Sequence, residues 1–339
     1  MKTPEEILQA FGVANGTLEP VAVGHIQKTW KVKADRTYTL QWVNPIFSPN
    51  IMEGLVAVTD HMRKKGLTAY EIIRTENGAL YVPDTDGFWR LFTYIDGAVY
   101  VSVTSDHMAK EAGKLLGVFH AAFADFSHPF SVIRPLHRET AKLFDLYKKS
   151  WAGFEGEIDQ QFKECLQVID TLPSLVLPDT LPKRLTHGDP KISNFIFSGD
   201  AVPTARAIID LDDCGNHLSV LVDIGDALRS WCKGQEDVPE DAFSMERCKA
   251  ALAGYFEGLS GLLTPQEREL IPQAFKMIAL ELACRYARDY VEDTYFAFNS
   301  QKYTTRRDHN RVRVLAQVAL YKQIVLREKE LADYIATLV

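Results

Sequence analysis

The stretch LTHGDPKISNFIFSG, residues 185–199, decides the interpretation of this chain. Asp189 and Asn194 stand five residues apart in a loop that leads into the apolar run FIF. Phosphoryl transfer needs a carboxylate that orients and deprotonates the attacking hydroxyl, and oxygen ligands that hold Mg²⁺ against the phosphates. Asp189 suits the first task and Asn194 the second. We interpret His187 as a brace for the loop.

A second stretch, ARAIIDLDDCG at 205–215, has the pattern of a buried strand that ends in carboxylates. Asp210 is the predicted ligand of the metal that bridges the β- and γ-phosphates, and Asp212 a possible second ligand. Each residue alone has an ordinary explanation, since Asp-Pro pairs are common in turns and carboxylates cap strand ends. Their combination at this spacing predicts a kinase.

The first ninety or so residues contain short runs of β-branched and aromatic residues separated by turn residues, which predict an antiparallel sheet. Between the third and fourth runs, apolar residues at helical spacing predict a helix over 50–65 that packs on the sheet, with Gly66 as its stop. The predicted strands are 17–23, 29–34, 37–43 and 88–95.

After Asp96-Gly97 the apolar period changes from two to about 3.6. Ser105 is the predicted N-cap of a first helix, and a capping box of Thr264 and Glu267 is predicted to start a long helix reaching toward Tyr295. A last helix is predicted over 310–337. We therefore predict an α+β fold with two lobes: a small β-rich lobe over 1–95 and a larger helical lobe over 96–339.

Composition excludes several classes of function. The chain has 339 residues, a formal charge of −7 and no long Lys/Arg stripe, so nucleic acid is not an expected partner. No apolar stretch approaches the roughly 20 residues of a membrane span, and the N-terminus does not resemble a signal peptide. We predict a cytoplasmic protein, with its five cysteines as buried, reduced thiols. Nothing in the sequence indicates an oligomeric state.

The loop and strand motifs resemble those of the aminoglycoside phosphotransferase and choline kinase superfamily, whose loop reads H-G/N-D-x-x-x-x-N and whose metal-binding strand reads I-D-x. Flanking segments are most similar to the N-acetylhexosamine 1-kinase branch of that superfamily. These segments are YTLQWVN (38–44), IIDLDD (208–213), DIGDALR (223–229) and RYARDYVEDTYF (285–296).

The resemblance implies a protein-kinase-like fold in which the first lobe covers ATP and the second supplies catalysis and the acceptor pocket. Residues 24–29 then occupy the place of a phosphate-covering loop, with Gly24 and nearby backbone amides against the phosphates. Thr93, Tyr94 and Ile95 would meet adenine through backbone groups. The predicted nucleotide contacts are Gly24, Gln27, Lys28, Thr29, Gln41, Arg90, Thr93, Tyr94 and Ile95.

One position departs from the family pattern. Many members carry a lysine on the third strand that contacts the phosphates, whereas this chain has Gln41 there. A neutral amide cannot supply that charge, so Lys28, Arg90 or a second Mg²⁺ are the alternatives for its source. Glu53, on the first-lobe helix, resembles the usual partner of that lysine.

Two further groups of charged residues can be explained by a structural role as well as by a functional one. Asp223, Asp226 and Arg229 have i, i+3 spacing and are predicted to form a supporting ion-pair network beside the loop. Arg285 and Asp289, at i, i+4, are candidates for hydrogen bonds to a sugar, and an ordinary helix-surface ion pair explains them equally well.

Three functional hypotheses remain open from the sequence. The leading one is a sugar 1-kinase in which Asp189 takes the proton from the anomeric hydroxyl of an N-acetylhexosamine. The second keeps the mechanism and changes the acceptor to an aminoglycoside, choline or homoserine. The third is a pseudokinase binding module, which only Gln41 supports.

Overall fold

The first part of the chain forms an antiparallel sheet with a helix on each face. The computed structural model describes residues 2–21, 27–131, 134–240 and 243–338. In this first part the helices are Pro4–Ala10 (α1) and Ile51–Lys64 (α2), and the strands are Thr17–Val21 (β1), Lys28–Lys33 (β2), Thr37–Val43 (β3), Ile72–Ile73 (β4), Val82–Asp84 (β5) and Gly87–Thr93 (β6).

Strand alternation explains why this sheet is covered on both faces. The strand order is β1-β2-β3-β6-β4, with β5 also paired to β6. Leu40 and Leu91 face α1, whereas Val43 and Phe88 face α2. The four predicted strands and the helix over 50–65 are confirmed within the described residues, while α1 and its capping box at Thr3 were not predicted.

The second part is mainly helical, and the predicted fold class is confirmed. Its strands are Ala98–Val99 (β7), Arg184–Thr186 (β8), Phe195–Phe197 (β9), Ala205–Ile208 (β10) and Gly215–Leu218 (β11). Its helices are Asp106–Ala122 (α3), Thr140–Ala152 (α4), Gln160–Ile169 (α5), Leu221–Trp231 (α6), Met245–Leu259 (α7), Pro265–Glu269 (α8), Ile271–Glu292 (α9), Arg306–Leu326 (α10) and Glu328–Ala336 (α11).

Two of the predicted helices are each divided in two. Ser105 caps α3 and Thr264 forms a capping box with Glu267, as predicted, but the helix from Thr264 ends at Glu269. Pro272 explains the break, because its ring has no N–H to donate and would clash with the carbonyl of the preceding turn. The predicted last helix is α10 and α11, interrupted at Arg327.

Helices α3 and α7 touch through their backbones. A methyl group added at Gly117 would lie 2.3 Å from the carbonyl oxygen of Tyr255, and one added at Gly113 would lie 2.0 Å from that of Ala251. Gly254 and Gly258 on α7 approach carbonyl groups of α3 just as closely. These four glycines, which we call the glycine contact, fix the separation of the two helices.

The strands of the second part position the loops between them. β7 and β10 both pair with β9, and β8 pairs with β11, so the segments on either side of the loop at 187–194 are held by hydrogen bonds. The five cysteines are all buried and free. None of the helices in the described part of the chain combines the length and apolar character that a membrane span requires.

Candidate active site

The loop between β8 and β9 carries the predicted catalytic aspartate, and His187 holds its shape. Nδ1 of His187 accepts the backbone N–H of Asp189 at 3.2 Å, and Nε2 lies 2.9 Å from the carbonyl oxygen of Ile209. Because Nδ1 accepts, Nε2 carries the proton and donates to that carbonyl. With both nitrogens engaged, His187 joins the loop to the end of β10, as a bracing role requires.

Asp189 presents a charged carboxylate that is 29% exposed. Burial raises the pKa of Asp189, but the ammonium of Lys191 at 2.6 Å and the charge of Arg138 outweigh burial and bring the pKa below its usual range. Asn194 donates its amide to the carbonyl oxygen of Asp189 at 2.8 Å, which directs its amide oxygen away from that contact. This hydrogen bond fixes Asp189, the candidate base, next to Asn194, the candidate metal ligand.

Asp210 comes next to this pair because the backbone N–H of Ile209 donates to the carbonyl oxygen of Asn194 at 2.8 Å. Asp210 has a left-handed backbone, with φ of 63° and ψ of 55°, which is uncommon outside glycine and turns its carboxylate out of the strand direction. Burial and the neighbouring charge of Asp212 raise the pKa of Asp210. A cation beside the carboxylate would relieve both effects.

The residues present fit a magnesium ion. Amide and carboxylate oxygens are the ligands Mg²⁺ prefers, and it usually takes one or two protein carboxylates and fills its remaining positions with water and phosphate oxygens. Asn194 and Asp210 supply that kind of partial set. Within the described ranges, no group of three or more His, Cys, Asp or Glu side chains forms a fuller cage.

Asp212 has protein partners instead of a free carboxylate. Its Oδ1 accepts from Arg90 Nη1 at 2.6 Å, and its Oδ2 accepts from Arg90 Nη2 at 2.8 Å and from Gln27 Nε2 at 2.5 Å. The side chains of Arg90 and Asp212 are only 2% and 3% exposed. The metal-binding role of Asp212 stays a prediction, and in this structure both of its oxygens bond to protein groups.

A segment before α4 holds the loop from behind. The carbonyl oxygen of Gly188 accepts from His137 Nε2 at 3.1 Å and from Arg138 Nε and Nη2 at 3.2 Å each. Gly188 has φ of +89°, and an added methyl group would lie 2.7 Å from the carbonyl oxygen of Asp213, so only glycine fits. Burial, Arg138 and Arg134 lower the pKa of His137 well below its usual range, and it is therefore neutral.

Asp223, on α6, holds the loop from below. Its carboxylate accepts the backbone N–H groups of His187 at 2.5 Å and Gly188 at 2.9 Å. His120 Nε2 lies 3.0 Å from the same carboxylate, and His120 Nδ1 lies 2.8 Å from the hydroxyl of Tyr255. A buried chain of hydrogen bonds thus runs from α7 through α3 and α6 to the loop that carries Asp189.

Asp226 completes the support predicted for this helix. It pairs with Arg229 at 2.7 Å and with Arg138 at 2.6 Å, and Arg138 also pairs with Glu281 on α9. The predicted Asp226–Arg229 pair is therefore present, while Asp223 bonds to the loop and not to Arg229.

Comparison with known proteins identifies the family of this chain. Residues 17–259 match a family described as "Phosphotransferase enzyme family". The chain belongs to that family. The superfamily prediction is confirmed, and the N-acetylhexosamine 1-kinase branch stays a prediction.

Solved structures of phosphotransferases share the fold. A microcompartment-associated aminopropanol kinase superposes with a TM-score of 0.71 at 15% identity, over 96% of this chain and 97% of that one. Spectinomycin phosphotransferase APH(9)-Ia, with ADP and spectinomycin, gives 0.60 at 12% identity, over 95% and 100%. Choline kinase from Cryptosporidium parvum Iowa II gives 0.56 at 14% identity, over 94% and 90%.

The residues that are predicted to contact the nucleotide lie on or next to the strands of the first lobe. The N–H of Tyr94 donates to the carbonyl oxygen of Thr37, and the N–H of Thr93 donates to the carbonyl oxygen of Glu71. The N–H of Ile95 has no partner among the described residues, so of Thr93, Tyr94 and Ile95 it is the one free to bond to a nucleotide. Lys28 lies over the ring of Trp42 at 5.1 Å. Gly24 lies outside the described residues.

Strand pairing brings the polar residues of this lobe together. Thr29 and Arg90 are the direct cross-strand neighbours of Gln41, and the Gln41 amide donates to the Thr29 hydroxyl at 3.2 Å. Glu53 is exposed on α2. The cation nearest to Gln41 is thus Arg90.

The two residues suggested for acceptor binding differ in their surroundings. Asp289 accepts the backbone N–H groups of Thr294, Tyr295 and Phe296 and the amide of Asn310, and so holds the turn that follows α9. Arg285 stacks over Tyr295 and Phe296, and no ion pair or hydrogen bond within the described part of the phosphotransferase uses its guanidinium. It lies close enough to His137 to help lower the pKa of that histidine.

Several residues of the phosphotransferase site were not singled out in the sequence. Lys191 belongs to the loop at 185–199, and its position two residues after Asp189 could have indicated that it pairs with that carboxylate. His120, His137 and Arg138 lie far from the loop in sequence, in segments with no motif, and only the fold brings them to it.

Proposed function

We propose that this phosphotransferase is a cytoplasmic kinase that uses ATP and Mg²⁺ to phosphorylate a hydroxyl of a small neutral acceptor. We further propose that the acceptor is an N-acetylhexosamine and that the hydroxyl is the anomeric one. The observation that carries the proposal is the fixed group of Asp189, Asn194 and Asp210, joined through the backbone of Ile209.

Asp189 has the properties of a base that works in the transition state. Its carboxylate is ionised at neutral pH, since the pKa lies below its usual range, so it can accept the proton of a hydroxyl as that oxygen attacks. The bond between the acceptor oxygen and the γ-phosphorus forms, the bond from that phosphorus to the β–γ bridging oxygen breaks, and ADP leaves. The acceptor proton goes to Asp189.

Asn194 and Asp210 would hold the metal on the nucleotide side of the loop. Bound Mg²⁺ neutralises the charge that develops on the phosphate oxygens. A bound cation would oppose the burial and the Asp212 charge that raise the pKa of Asp210, and would favour the ionised form of that carboxylate. Lys191, paired with Asp189, stands where it can also meet a negatively charged oxygen.

The charges beside the loop favour a neutral acceptor over a cationic one. A cationic acceptor needs unpaired carboxylates or an open aromatic cage. Here arginines pair with Asp226 and Glu281, and Arg285 lies over the rings of Tyr295 and Phe296. Asp226 pairs with Arg138 and Arg229, and Glu281 pairs with Arg138. Asp213 pairs with Arg134, but burial outweighs this pair and raises the pKa of Asp213 to about 7, so this group carries only part of a negative charge at neutral pH.

The test is ATP consumption with each of several acceptors offered separately, followed by mass spectrometry of the products. The panel contains N-acetylglucosamine, N-acetylgalactosamine, glucose, choline, homoserine, aminopropanol and kanamycin, all with Mg²⁺. We expect a phosphorylated N-acetylhexosamine whose phosphate is lost in mild acid, as an anomeric phosphate is. Asp189→Asn is the inactive control.

Each other outcome has a defined meaning. Turnover only with choline, aminopropanol or kanamycin would contradict the neutral acceptor and retain the kinase. Binding of Mg²⁺-ATP without turnover on any acceptor would contradict the N-acetylhexosamine assignment. No nucleotide binding would contradict the kinase proposal altogether.

A further inference from the structure

A buried polar cluster joins the sheet of the first lobe to the metal-binding segment of the second. Its members are Arg90 on β6, Gln41 on β3, Gln27 before β2, and Asp212, two residues after Asp210. Arg90 donates to both carboxylate oxygens of Asp212 and to the amide oxygens of Gln41 at 2.8 and 3.0 Å and of Gln27 at 3.0 Å.

Burial of these polar groups costs free energy unless each of them has a hydrogen-bond or ion-pair partner. A guanidinium and a carboxylate removed from water lose several kcal/mol of hydration each, by the order of magnitude typical for ions, and only good geometry recovers it. The two parallel hydrogen bonds from Nη1 and Nη2 of Arg90 to Asp212 give that geometry. Gln41 accepts from Nε and Nη2 of the same guanidinium, and Gln27 accepts from Nη2. Arg90 therefore has one well-defined position.

The cluster also explains Gln41. Gln41 and Arg90 are directly opposite each other on adjacent strands, so side chains from the two positions point to the same face and reach the same place. An amide at position 41 accepts from Arg90, whereas a lysine there would place a second cation against the guanidinium. The cation that pairs with Asp212 therefore comes from β6.

We propose that Arg90, on β6, is a positioning residue for the nucleotide and metal site. This inference rests on the proposed kinase function. Arg90 acts through Asp212: it pairs with that carboxylate, so that Asp210 is the carboxylate left to hold the metal together with Asn194, and it joins the sheet over the nucleotide to the Asp210 segment. Gln27, the residue directly before β2, is part of the same connection.

The experiment moves the charge between strands. Binding of a non-hydrolysable ATP analogue with Mg²⁺ is measured by calorimetry, and kcat and KM for ATP are measured in parallel, for Arg90→Gln, Arg90→Lys, Asp212→Asn and the double variant Arg90→Gln/Gln41→Lys. Arg74→Gln is the matched control, because the guanidinium of this exposed arginine of the same lobe bonds, among the described residues, only to the carbonyl oxygen of Gly78. Denaturant unfolding of each variant separates loss of folding from loss of binding.

We expect Arg90→Gln to weaken nucleotide binding by about tenfold or more and to lower kcat, with Arg90→Lys intermediate, since one lost charge-assisted hydrogen bond corresponds to roughly that factor. The double variant should regain about half of the lost binding free energy, because the lysine introduced on β3 would restore a cation opposite Asp212. The control should stay within about twofold of the wild type, as expected of an exposed surface arginine.

Two results would overturn the inference. Either Arg90→Gln binds the nucleotide as tightly as the wild type, or the double variant folds and binds no better than Arg90→Gln. If Arg90→Gln does not fold, Asp212→Asn and Arg90→Lys decide, because unchanged binding in both contradicts the positioning role. Failure of the wild type itself to bind nucleotide would overturn the proposed function, and this inference with it.

Discussion

The glycine contact between α3 and α7 leads to our most demanding prediction, for Gly117→Ala. The added methyl carbon would lie 2.3 Å from the carbonyl oxygen of Tyr255. Carbon and carbonyl oxygen approach to about 3.3 Å in close helix packing, so the helices must separate by about 1 Å. Both atoms at the clash are fixed to helix backbones, so no side chain can rotate to relieve it.

The expected cost is about 3 kcal/mol of unfolding free energy, the upper end for overpacking, because backbone must move. The same separation would stretch the 2.8 Å bond between the Tyr255 hydroxyl and His120 beyond hydrogen-bonding distance. His120 holds Asp223, and Asp223 holds the catalytic loop. We therefore expect kcat to fall by about tenfold while the protein stays folded.

Denaturant unfolding and steady-state kinetics measure the two effects. Gly153→Ala is the matched control, because a methyl group there meets no atom within 4 Å, and it should change neither quantity measurably. If Gly117→Ala unfolds within about 0.5 kcal/mol of the wild type, the backbone contact does not have the geometry described here. Loss of stability with unchanged kcat would refute the connection from α7 to the loop.

Three other predictions test single residues. Asp189→Asn should lower kcat by several powers of ten with ATP binding nearly intact, whereas Asp210→Ala should also weaken binding of Mg²⁺-nucleotide; equal, small losses in both would refute the assignment. Tyr255→Phe should cost about 1 kcal/mol of stability by removing one buried hydrogen bond, and a cost above that of Gly117→Ala would contradict the order of effects. Burial raises the pKa of Asp289, but hydrogen bonds from three backbone N–H groups and Asn310 lower it more. The unfolded carboxylate then takes up protons first as pH falls, so this stabilisation, present above the usual aspartate pKa of about 4, is lost in acid. Asp289→Asn should therefore be about 2 kcal/mol less stable than the wild type at pH 7, with a smaller difference near pH 3 and an unchanged KM for the acceptor.

Short-range patterns in the sequence were enough to predict most of the fold. Strand alternation and helix periodicity predicted the sheet of the first lobe and the helical second lobe, and the caps at Ser105 and Thr264 were found because a cap depends on residues three or four apart. The missed helix breaks have a local cause too. Pro272 was visible in the sequence, but the apolar period continues across it and concealed the interruption.

The grouping of the candidate site residues could be predicted from the sequence, whereas the residues that support them could not. Asp189, Asn194 and Asp210 stand in two short segments with recognisable spacing, and the structure brings these segments together. Arg138 and Tyr255 belong to segments without a motif, and their contacts depend on how helices distant in sequence pack. The partners of Asp212 could not be foreseen either, because strand register alone decides that Arg90 stands opposite Gln41.

The five buried cysteines make this protein convenient for measuring motion between its lobes. Burial raises the pKa of Cys165, Cys214, Cys232 and Cys284, and reactivity requires an accessible thiolate, so the native chain offers little background to thiol-directed dyes. A cysteine introduced at an exposed position of each lobe, such as Ile46 (50% exposed) and Val202 (63%), would be labelled selectively. Energy transfer between the two dyes would then follow the distance between the lobes as nucleotide and acceptor bind, without removal of any natural cysteine.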